Sequence, residues 1–454
     1  MKRALFKNFY ILQIIIETIK HKNYKKFTLI KKMKENVYKR YVNDKWALIL
    51  FLVFTTVFNI YLSQIKPQVQ LFQPVDVKML SVGFAYTMLC SAIFLYIMLI
   101  AAQKAMIYLF LLAPIIKIFL LFLIKNPVFH VASTILGLLS CAYYFLAYRK
   151  NIKGSSHVVS AVATILYKRK LSIFAVSSCI ILILYAQVQN ASSNLHYNYK
   201  SFIGAYSLTS ILLYWVFFTC VYWLRIFVSS IVALDVLMID NSVNVPLESL
   251  KNTLYSMGTI CFASLISAIS FTAHCLESFI KYNKKNTNKN RKRNTHDRSI
   301  FVIFLTSLIA ILHRVAISIN YWTLPHVALH GKDYKTSVIE SLKISGSRGT
   351  LLKSVLTFDP IVTVYSISCM FGYVFVVRKF STDLAVKPDS LLFTENQFLF
   401  QIMLVFILLS VILSAFSDGI KSLLYVFDHD KNAVKNKFPK AYEIIETHVK
   451  TSNI

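Results

Sequence analysis

Residues 202–240 read FIGAYSLTSILLYWVFFTCVYWLRIFVSSIVALDVLMID, and this stretch decides the fold. Its charged residues are Arg225, Asp235 and Asp240. A hydrocarbon core about 30 Å thick is crossed by roughly 20 helical residues, so almost forty apolar residues exceed one straight crossing. We therefore predict a break near Arg225, which divides the stretch into the spans Phe202–Leu224 and Ile226–Ile239.

Apolar runs long enough to cross a membrane lie on both sides of this stretch. A helix satisfies its own backbone hydrogen bonds, as the hydrocarbon core requires. The runs are Trp46–Ile65, Lys78–Ala102, Ala105–Ile124, Val128–Tyr148, Leu171–Val188, Leu254–Ile280, Phe358–Val377 and Phe398–Phe416. The chain is therefore predicted to be an all-α polytopic membrane protein with about ten transmembrane helices and both termini in the cytoplasm.

One further apolar segment, Ser299–Trp322, leaves the number of spans open. His313 and Arg314 interrupt it, and residues 330–353 beyond it carry five Lys or Arg, which favours the cytoplasmic side after this segment as well as before it. We therefore predict an oblique or re-entrant course for residues 299–325. If the segment crosses instead, there are eleven spans, or the segment that begins at residue 226 does not cross.

The net charge of +30 comes from Lys and Arg concentrated in short segments between the apolar runs. Thirteen lie in residues 1–45, six in 149–170 and eight in 281–298. Cytoplasmic loops concentrate such residues and anionic lipid headgroups attract them, so the expected partner is a lipid bilayer and not a nucleic acid. The predicted organisation is a basic cytoplasmic arm at 1–45, a transmembrane domain at 46–426 with a basic cytoplasmic loop at 281–298, and a cytoplasmic tail at 427–454.

No sequence pattern typical of catalysis or metal binding is present. The seven cysteines form no CxxC pair, and HExxH, GxSxG and GxxxxGK[ST] motifs are absent. Asp235 and Asp240 stand about 140° apart round a helix, so they do not form a paired-carboxylate site. We expect no enzymatic activity, no cofactor and no metal site.

Asn190 begins an Asn-Ala-Ser sequon. The sequon falls in the link 189–200, which an alternating topology with a cytoplasmic arm places outside. Asn190 is therefore a candidate for glycosylation, although a sequon alone is a weak signal.

Three segments resemble the choline transporter-like family, and their order and spacing agree with it. Residues 250–269, LKNTLYSMGTICFASLISAI, resemble its Gly-Ser-Ile-Cys-Phe-Gly-Ser-Leu core and the Leu-Lys-x-x-Leu approach before it. Residues 320–337, NYWTLPHVALHGKDYKTS, resemble its Asn-x-x-Ala-Tyr segment. Residues 427–445, FDHDKNAVKNKFPKAYEII, resemble the ending of its fungal members of the pH-nine-sensitive type.

The resemblance covers roughly residues 130–445, and it implies a multi-pass transporter of a small solute at the plasma membrane. The resemblance implies a cationic amine such as choline as a candidate solute. The chain departs from the family at Ala263, where a second Gly is usual, and at 233–236, where a Trp-Tyr pair is usual. It also lacks the large extracellular loop after the first span, as the fungal branch does. The rival interpretations are a multi-span receptor or chemosensory-type channel, and a membrane-embedded lipid-modifying enzyme.

The predicted solute path lies against the break near Arg225. Aromatic rings of the sixth span can hold a cation over their faces, but they are also typical of an interfacial belt. Asp235 is an acid in an apolar segment, which is typical of function, unless the segment ends early and the carboxylate lies among headgroups. Gly258 begins a face of small residues that suits tight helix packing or a moving contact. The path candidates are Tyr214, Trp215, Tyr222, Trp223, Asp235, Gly258, Ser264 and Ser267.

Overall fold

Long apolar runs make the described part of the chain almost entirely helical. The computed structural model describes residues 42–64, 77–122, 155–195, 203–238, 244–287, 296–347, 358–383 and 391–452, and within these ranges there is no strand. The helices are α1 (Lys45–Gln64), α2 (Val77–Phe122), α3 (155–168), α4 (Lys170–Leu195), α5 (Ile203–Leu237), α6 (Val245–Tyr255), α7 (Met257–Thr287), α8 (His296–His330), α9 (Tyr334–Ser347), α10 (Phe358–Asp383), α11 (Leu391–His429), α12 (Lys431–Lys437) and α13 (Pro439–Ser452). The predicted all-α class is confirmed for these residues.

Several helices are compatible with a membrane by their length and composition. Among the described residues, four stretches are long and apolar enough to cross: Ser81–Leu109, Ser210–Leu237, Met257–Cys275 and Val405–His429. Shorter apolar stretches occupy Lys45–Ile60, Lys170–Leu184 and Ile361–Val374. The chain therefore has the apolar helices expected of a membrane protein.

The predicted break near Arg225 is wrong. α5 continues from Ile203 to Leu237 as one helix of 35 residues. Arg225 remains inside this helix because Asp418 of α11 bonds to its guanidinium, and a paired charge is tolerated where a lone one is not. At 1.5 Å per residue the helix is about 50 Å long, so it extends beyond a hydrocarbon core or tilts within it. Residues 226–239 therefore form no separate span.

Residues 299–325 also belong to one continuous helix, α8, which keeps its path although it contains Pro325. It runs antiparallel to α7, because the Asn320 amide bonds to Ser267 while His313, further from the end of α8, bonds to Ser270. The helix contains no reversal, so the re-entrant alternative is wrong, while the oblique course stays a prediction. Polar contacts of His313 and Asn320 with α7 stabilise this part of α8.

Side-chain contacts show which of the other helices run in the same direction. Arg225 of α5 bonds to Asp418 of α11, and one turn further along both helices Ser422 donates to the Ser229 carbonyl, so α5 and α11 are parallel. α10 is antiparallel to α2, because Tyr86 donates to the Cys369 carbonyl while Tyr365 donates to the Cys90 carbonyl. α7 is antiparallel to α5, since Ile260 packs near Ile226 and Ala268 near Leu212.

These directions define two ends of the bundle. Asn43 donates to the Gly331 carbonyl at 2.7 Å, and the Asp44 carboxylate accepts from Thr259 at 2.8 Å, so the starts of α1 and α7 meet the end of α8. We call this the Asp44 end. The opposite end, where α7 terminates, is called the Thr287 end.

The directions bear on the basic loop at 281–298. α7 leaves the Asp44 end and α8 returns to it, so residues 281–287 and 296–298 lie at the Thr287 end. The charge pattern predicted this loop and the arm at 1–45 to be on the same side. α5 makes one passage between the two ends where two were predicted, so the start of α1 at Lys45 and the end of α7 at Thr287 lie at opposite ends of the bundle.

Other predicted boundaries also shift. The predicted boundary between Lys78–Ala102 and Ala105–Ile124 lies next to a kink in α2, where Ala101 departs from helical backbone geometry. Asn190 lies inside α4, so the link predicted to start at residue 189 starts after Leu195. The predicted span 128–148 and the arm up to residue 41 fall outside the described residues.

Candidate functional site

A buried ionic cluster joins α5, α8 and α11. The Arg225 guanidinium donates two hydrogen bonds to the Asp418 carboxylate, with Nη2 at 2.9 Å from Oδ1. Lys421 Nζ donates to the same Oδ1 at 2.6 Å and lies over the ring of Tyr321. The side chains of Asp418 and Lys421 are fully buried and that of Arg225 is 12% exposed. Ionisable groups converge here among apolar helices, where a charge is costly unless it is paired.

Hydroxyl and amide groups beside the cluster form a hydrogen-bonded network. The Asn320 amide donates to Ser267 Oγ at 2.9 Å and to the Ala263 carbonyl at 3.2 Å, and it accepts from the Tyr334 hydroxyl at 2.5 Å. The Tyr222 hydroxyl lies 2.6 Å from Ser267 Oγ. All these side chains are buried, so the network is strong because its polar groups find partners away from water.

Two tyrosines connect the network to the ionic cluster. The guanidinium carbon of Arg225 lies 5.5 Å from the centroid of the Tyr222 ring, within range of a cation–π interaction. Tyr321, which carries Lys421 on its face, follows Asn320 in α8. We call the combined set the polar seam. Its members are Tyr222, Arg225, Ser267, Asn320, Tyr321, Tyr334, Asp418 and Lys421.

The seam leads along α8 and α11 towards a cavity at the Asp44 end. This cavity has a volume of about 310 Å³, at the lower end of the range for small-molecule sites. His326 Nε2 lies 3.3 Å from Glu340 Oε2, and Lys332 Nζ donates to both oxygens of Glu340 at 2.6 and 2.7 Å. The lining residues are His326, His330, Glu340, Lys343, Tyr425, Asp428 and His429. Across the described ranges, no group of three or more His, Cys, Asp or Glu is placed to hold a metal ion.

α9 positions Glu340 at this cavity, and Asp333 starts α9. The Asp333 carboxylate accepts from the backbone N–H of Thr336 at 3.0 Å, which is the usual capping bond of a helix start. Burial alone would raise the pKa of Asp333, but the hydrogen bonds from Thr336 hold that pKa below its usual range. The ionised carboxylate therefore stabilises the first turn of α9 and so the position of Glu340.

The structure brings three of the predicted path residues close together. Tyr222 and Ser267 are bonded to each other in the seam. Ser264 lies one turn before Ser267, and its hydroxyl is 2.7 Å from that of Thr219. The small-residue face of α7 thus makes hydrogen bonds across its interface with α5, as serines in membrane helices do.

The other predicted aromatic residues fill separate contacts. Trp215 donates from Nε1 to the Cys261 carbonyl at 2.9 Å. Tyr214 packs edge-on against Phe271 with ring centroids 4.7 Å apart, and Trp223 stacks on Phe227 at 5.9 Å. These three rings are not among the residues that line the cavity at the Asp44 end.

Asp235 and Gly258 lie at the Asp44 end, apart from the seam. The Asp235 carboxylate is buried and accepts from Lys437 Nζ at 2.6 Å, with Arg169 Nη2 at 3.6 Å. Gly258 packs against the chain before α1, where a Cβ would stand 2.0 Å from the Asn43 carbonyl oxygen. The Asp235 ion pairs therefore attach α12 and the start of α4 to the end of α5. The close approach at Gly258 lets the chain before α1 pack on the start of α7.

Sequence reasoning missed Asp418 and Lys421. The last span was predicted to end at Phe416 and the polar tail to begin at residue 427. Asp418 and Lys421 therefore fell between the predicted span and the predicted tail. α11 instead continues to His429. The signal was present, because the apolar residues Leu423–Phe427 resume after the charges, and an Asp and a Lys three apart share one helix face.

Searches of protein-family models and of curated proteins return no match for this chain.

Proposed function

We propose that this protein is a membrane transporter of a small solute, resembling choline transporter-like proteins and acting at the plasma membrane. The observation that carries the proposal is the polar seam with its buried ionic cluster. Ionisable groups inside membrane helices are costly, and they typically mark pathways for ions or substrates. Two of the three segments that resemble the family contribute to the seam: Ser267 belongs to 250–269, and Asn320 and Tyr334 belong to 320–337.

The proposal includes ten spans and two cytoplasmic termini. Eight spans are α1, α2 as far as its kink, α4, α5, α7, α8, α10 and α11. The predicted apolar runs 105–124 and 128–148 supply the other two, and they return the chain to the end where α4 starts. The proposal places the basic segments 1–45, 149–170 and 330–353, with thirteen, six and five Lys or Arg, on the side of the Asp44 end, and such a concentration of basic residues is typical of the cytoplasmic side.

The proposed solute path runs along the polar seam and opens through the cavity at the Asp44 end. Helices α5, α8 and α11 are parallel along this path, so a shift of one against the others would open or close it, as alternating access requires. A cationic amine such as choline would meet the ring faces of Tyr222 and Tyr321. It would also compete with Arg225 and Lys421 for the Asp418 carboxylate.

Uptake into proteoliposomes tests the proposal. The purified chain should take up at least one labelled solute from a panel that includes choline, with a rate that saturates and exceeds that of empty liposomes. Asp418→Asn should lower the uptake rate by about tenfold or more (~1.4 kcal/mol), because it removes the carboxylate at the centre of the seam. The matched control is Glu248→Gln, which neutralises a carboxylate on α6 that is bonded to Lys251, and it should leave uptake within about twofold of the unaltered rate.

Tyr222→Phe is a second, milder variant that removes a single hydroxyl from the seam. It keeps the proposal testable even where Asp418→Asn does not fold. It should lower uptake while the size-exclusion profile is unchanged. The proposal fails if folded protein transports nothing in the panel, or if Asp418→Asn and Tyr222→Phe both retain the full rate. Uptake that rises linearly with concentration would instead support a channel.

A further inference from the structure

Basic residues converge at the junction between α3 and α4, at the Asp44 end. Lys168, Arg169 and Lys170 are consecutive there. Arg169 is paired with the buried Asp235, and the same carboxylate binds Lys437 of α12. We call these four basic residues the basic junction.

Positive charge exceeds negative charge within these contacts. One carboxylate, that of Asp235, faces the two cations Arg169 and Lys437. Arg169 also has a buried Nε for which the structure provides no hydrogen-bond partner. Lys168 is exposed, and Lys170 Nζ lies 4.0 Å over the Tyr167 ring. The junction therefore has donors and positive charge for an anionic group that accepts several hydrogen bonds.

An apolar crevice adjoins the junction. It lies between α2, α3, α4, α5 and α11 and has a volume of about 40 Å³. Phe94, Ile173, Phe174 and Leu413 line it, and Lys170 is the charged residue in its lining. Leu171, next to Lys170, is 80% exposed. The basic residues at the helix ends therefore lie directly beside apolar side chains along the helices.

We propose that the basic junction binds the phosphate of an anionic phospholipid, with an acyl chain of that lipid along the crevice. The position of the basic junction suits a phospholipid headgroup. Helix ends of a membrane bundle lie at the depth of the headgroups, and basic pockets there attract anionic lipids. A free phosphate would satisfy the cations, but it would leave the crevice and the exposed Leu171 uncovered. The proposal does not require that the protein transports a solute.

Native mass spectrometry of the delipidated full chain in detergent tests the proposal. Phosphatidylglycerol should bind in preference to phosphatidylcholine with identical acyl chains, and glycerol 3-phosphate should not compete at equal concentration. The double variant Lys168→Gln with Lys170→Gln should weaken phosphatidylglycerol binding about thirtyfold (~2 kcal/mol). These two side chains are separate from the ion pairs of Asp235, so the variant should keep its unfolding midpoint.

The matched control is Lys431→Gln with Lys435→Gln, which removes two exposed basic residues of α12 at the same end of the bundle. It should bind phosphatidylglycerol within about threefold of the unaltered chain. Equal loss in both double variants would mean that net charge alone attracts the lipid, and it would overturn the proposal. Equal binding of both lipids, or full competition by glycerol 3-phosphate, would overturn it as well.

Discussion

Asp418 and Asp235 are both buried carboxylates on long apolar helices, but they have different surroundings. Asp418 lies within α11 and is bonded to Arg225 and Lys421 between helices. Asp235 lies two residues before the end of α5 and is paired with Lys437 and Arg169, which are partly exposed. Water reaches the partners of Asp235, so we assign it to anchoring, while the carboxylate that belongs to the seam is Asp418.

Gly258 lets the chain before α1 approach the start of α7 closely, because it has no side chain. A Cβ there would stand 2.0 Å from the Asn43 carbonyl oxygen and 2.6 Å from that of Asp44, and backbone atoms cannot move aside as the end of a side chain can. We expect Gly258→Ala to destabilise the folded state by ~1–3 kcal/mol, measured as a lower unfolding midpoint in detergent.

The control for that prediction is Gly83→Ala in α2. Its new methyl group would meet the Tyr373 hydroxyl at 3.0 Å and Val405 Cγ2 at 3.3 Å, and these side-chain atoms need to shift by only a few tenths of an ångström. The midpoint should fall less than for Gly258→Ala. Equal midpoints for the two variants would show that the chain before α1 does not pack tightly on α7.

At the scale of elements, the C-terminal helices α12 and α13 follow α11 at the Asp44 end, and they bury Val434, Ala441 and Ile445. Asp430 starts α12 by accepting from the N–H groups of Asn432 and Ala433. Lys437 then bonds to the carboxylate and the carbonyl of Asp235 at the end of α5. Phe427 packs against Tyr442. One ion pair thus contributes much of the polar attachment between α12 and α5.

We expect Lys437→Gln to loosen α12 and α13 because it leaves the buried Asp235 with Arg169 as its remaining partner. Limited proteolysis should then cleave after residue 429 several-fold faster than in the unaltered protein, since cleavage follows the population of the open form. Lys440→Gln, which removes an exposed charge of α13, is the matched control and should not change the rate. Identical rates for both variants would contradict the anchoring role of Lys437.

At the scale of the whole molecule, the directions of the helices determine which segments share a side. α5, α8 and α11 end at the Asp44 end, and α1 and α7 start there. The start of α1, the junction before α4 and the C-terminal helices therefore lie at one end, while α7 ends at the other. With the Asp44 end cytoplasmic, as proposed, the eight basic residues of 281–298 would be an exception to the positive-inside rule.

Cysteine labelling checks this topology in a background without the native cysteines. Thr287→Cys should react with a membrane-impermeant thiol reagent in intact cells, because it lies at the end opposite Asp44. Lys440→Cys should react only after permeabilisation. Labelling of both positions under the same condition would refute the arrangement of α7 and α8 across the membrane.

The sequence by itself determined the class of the fold. Charge depletion and apolar runs of membrane-crossing length depend on local composition, because each helix satisfies its own backbone hydrogen bonds. The apolar runs therefore predicted α-helices that the structure confirms at 46–64, 358–377 and 398–416. The small-residue pattern also singled out Ser264 and Ser267 for a helix contact, and in the structure their hydroxyls lie next to those of Thr219 and Tyr222 of α5.

Only the tertiary structure decided whether the polar and charged residues inside those runs interrupt a helix. Arg225 was interpreted as a break because a lone guanidinium is costly in hydrocarbon, yet Asp418, distant by 193 positions in the sequence, bonds to it and lets α5 continue. α8 keeps its full length in the same way, since Asn320 finds its partners on α7 and α9. The energy of a buried polar group depends on whether a hydrogen-bond or ion-pair partner is next to it. For Arg225 and Asn320 that partner belongs to another helix, and it becomes adjacent only when the chain folds.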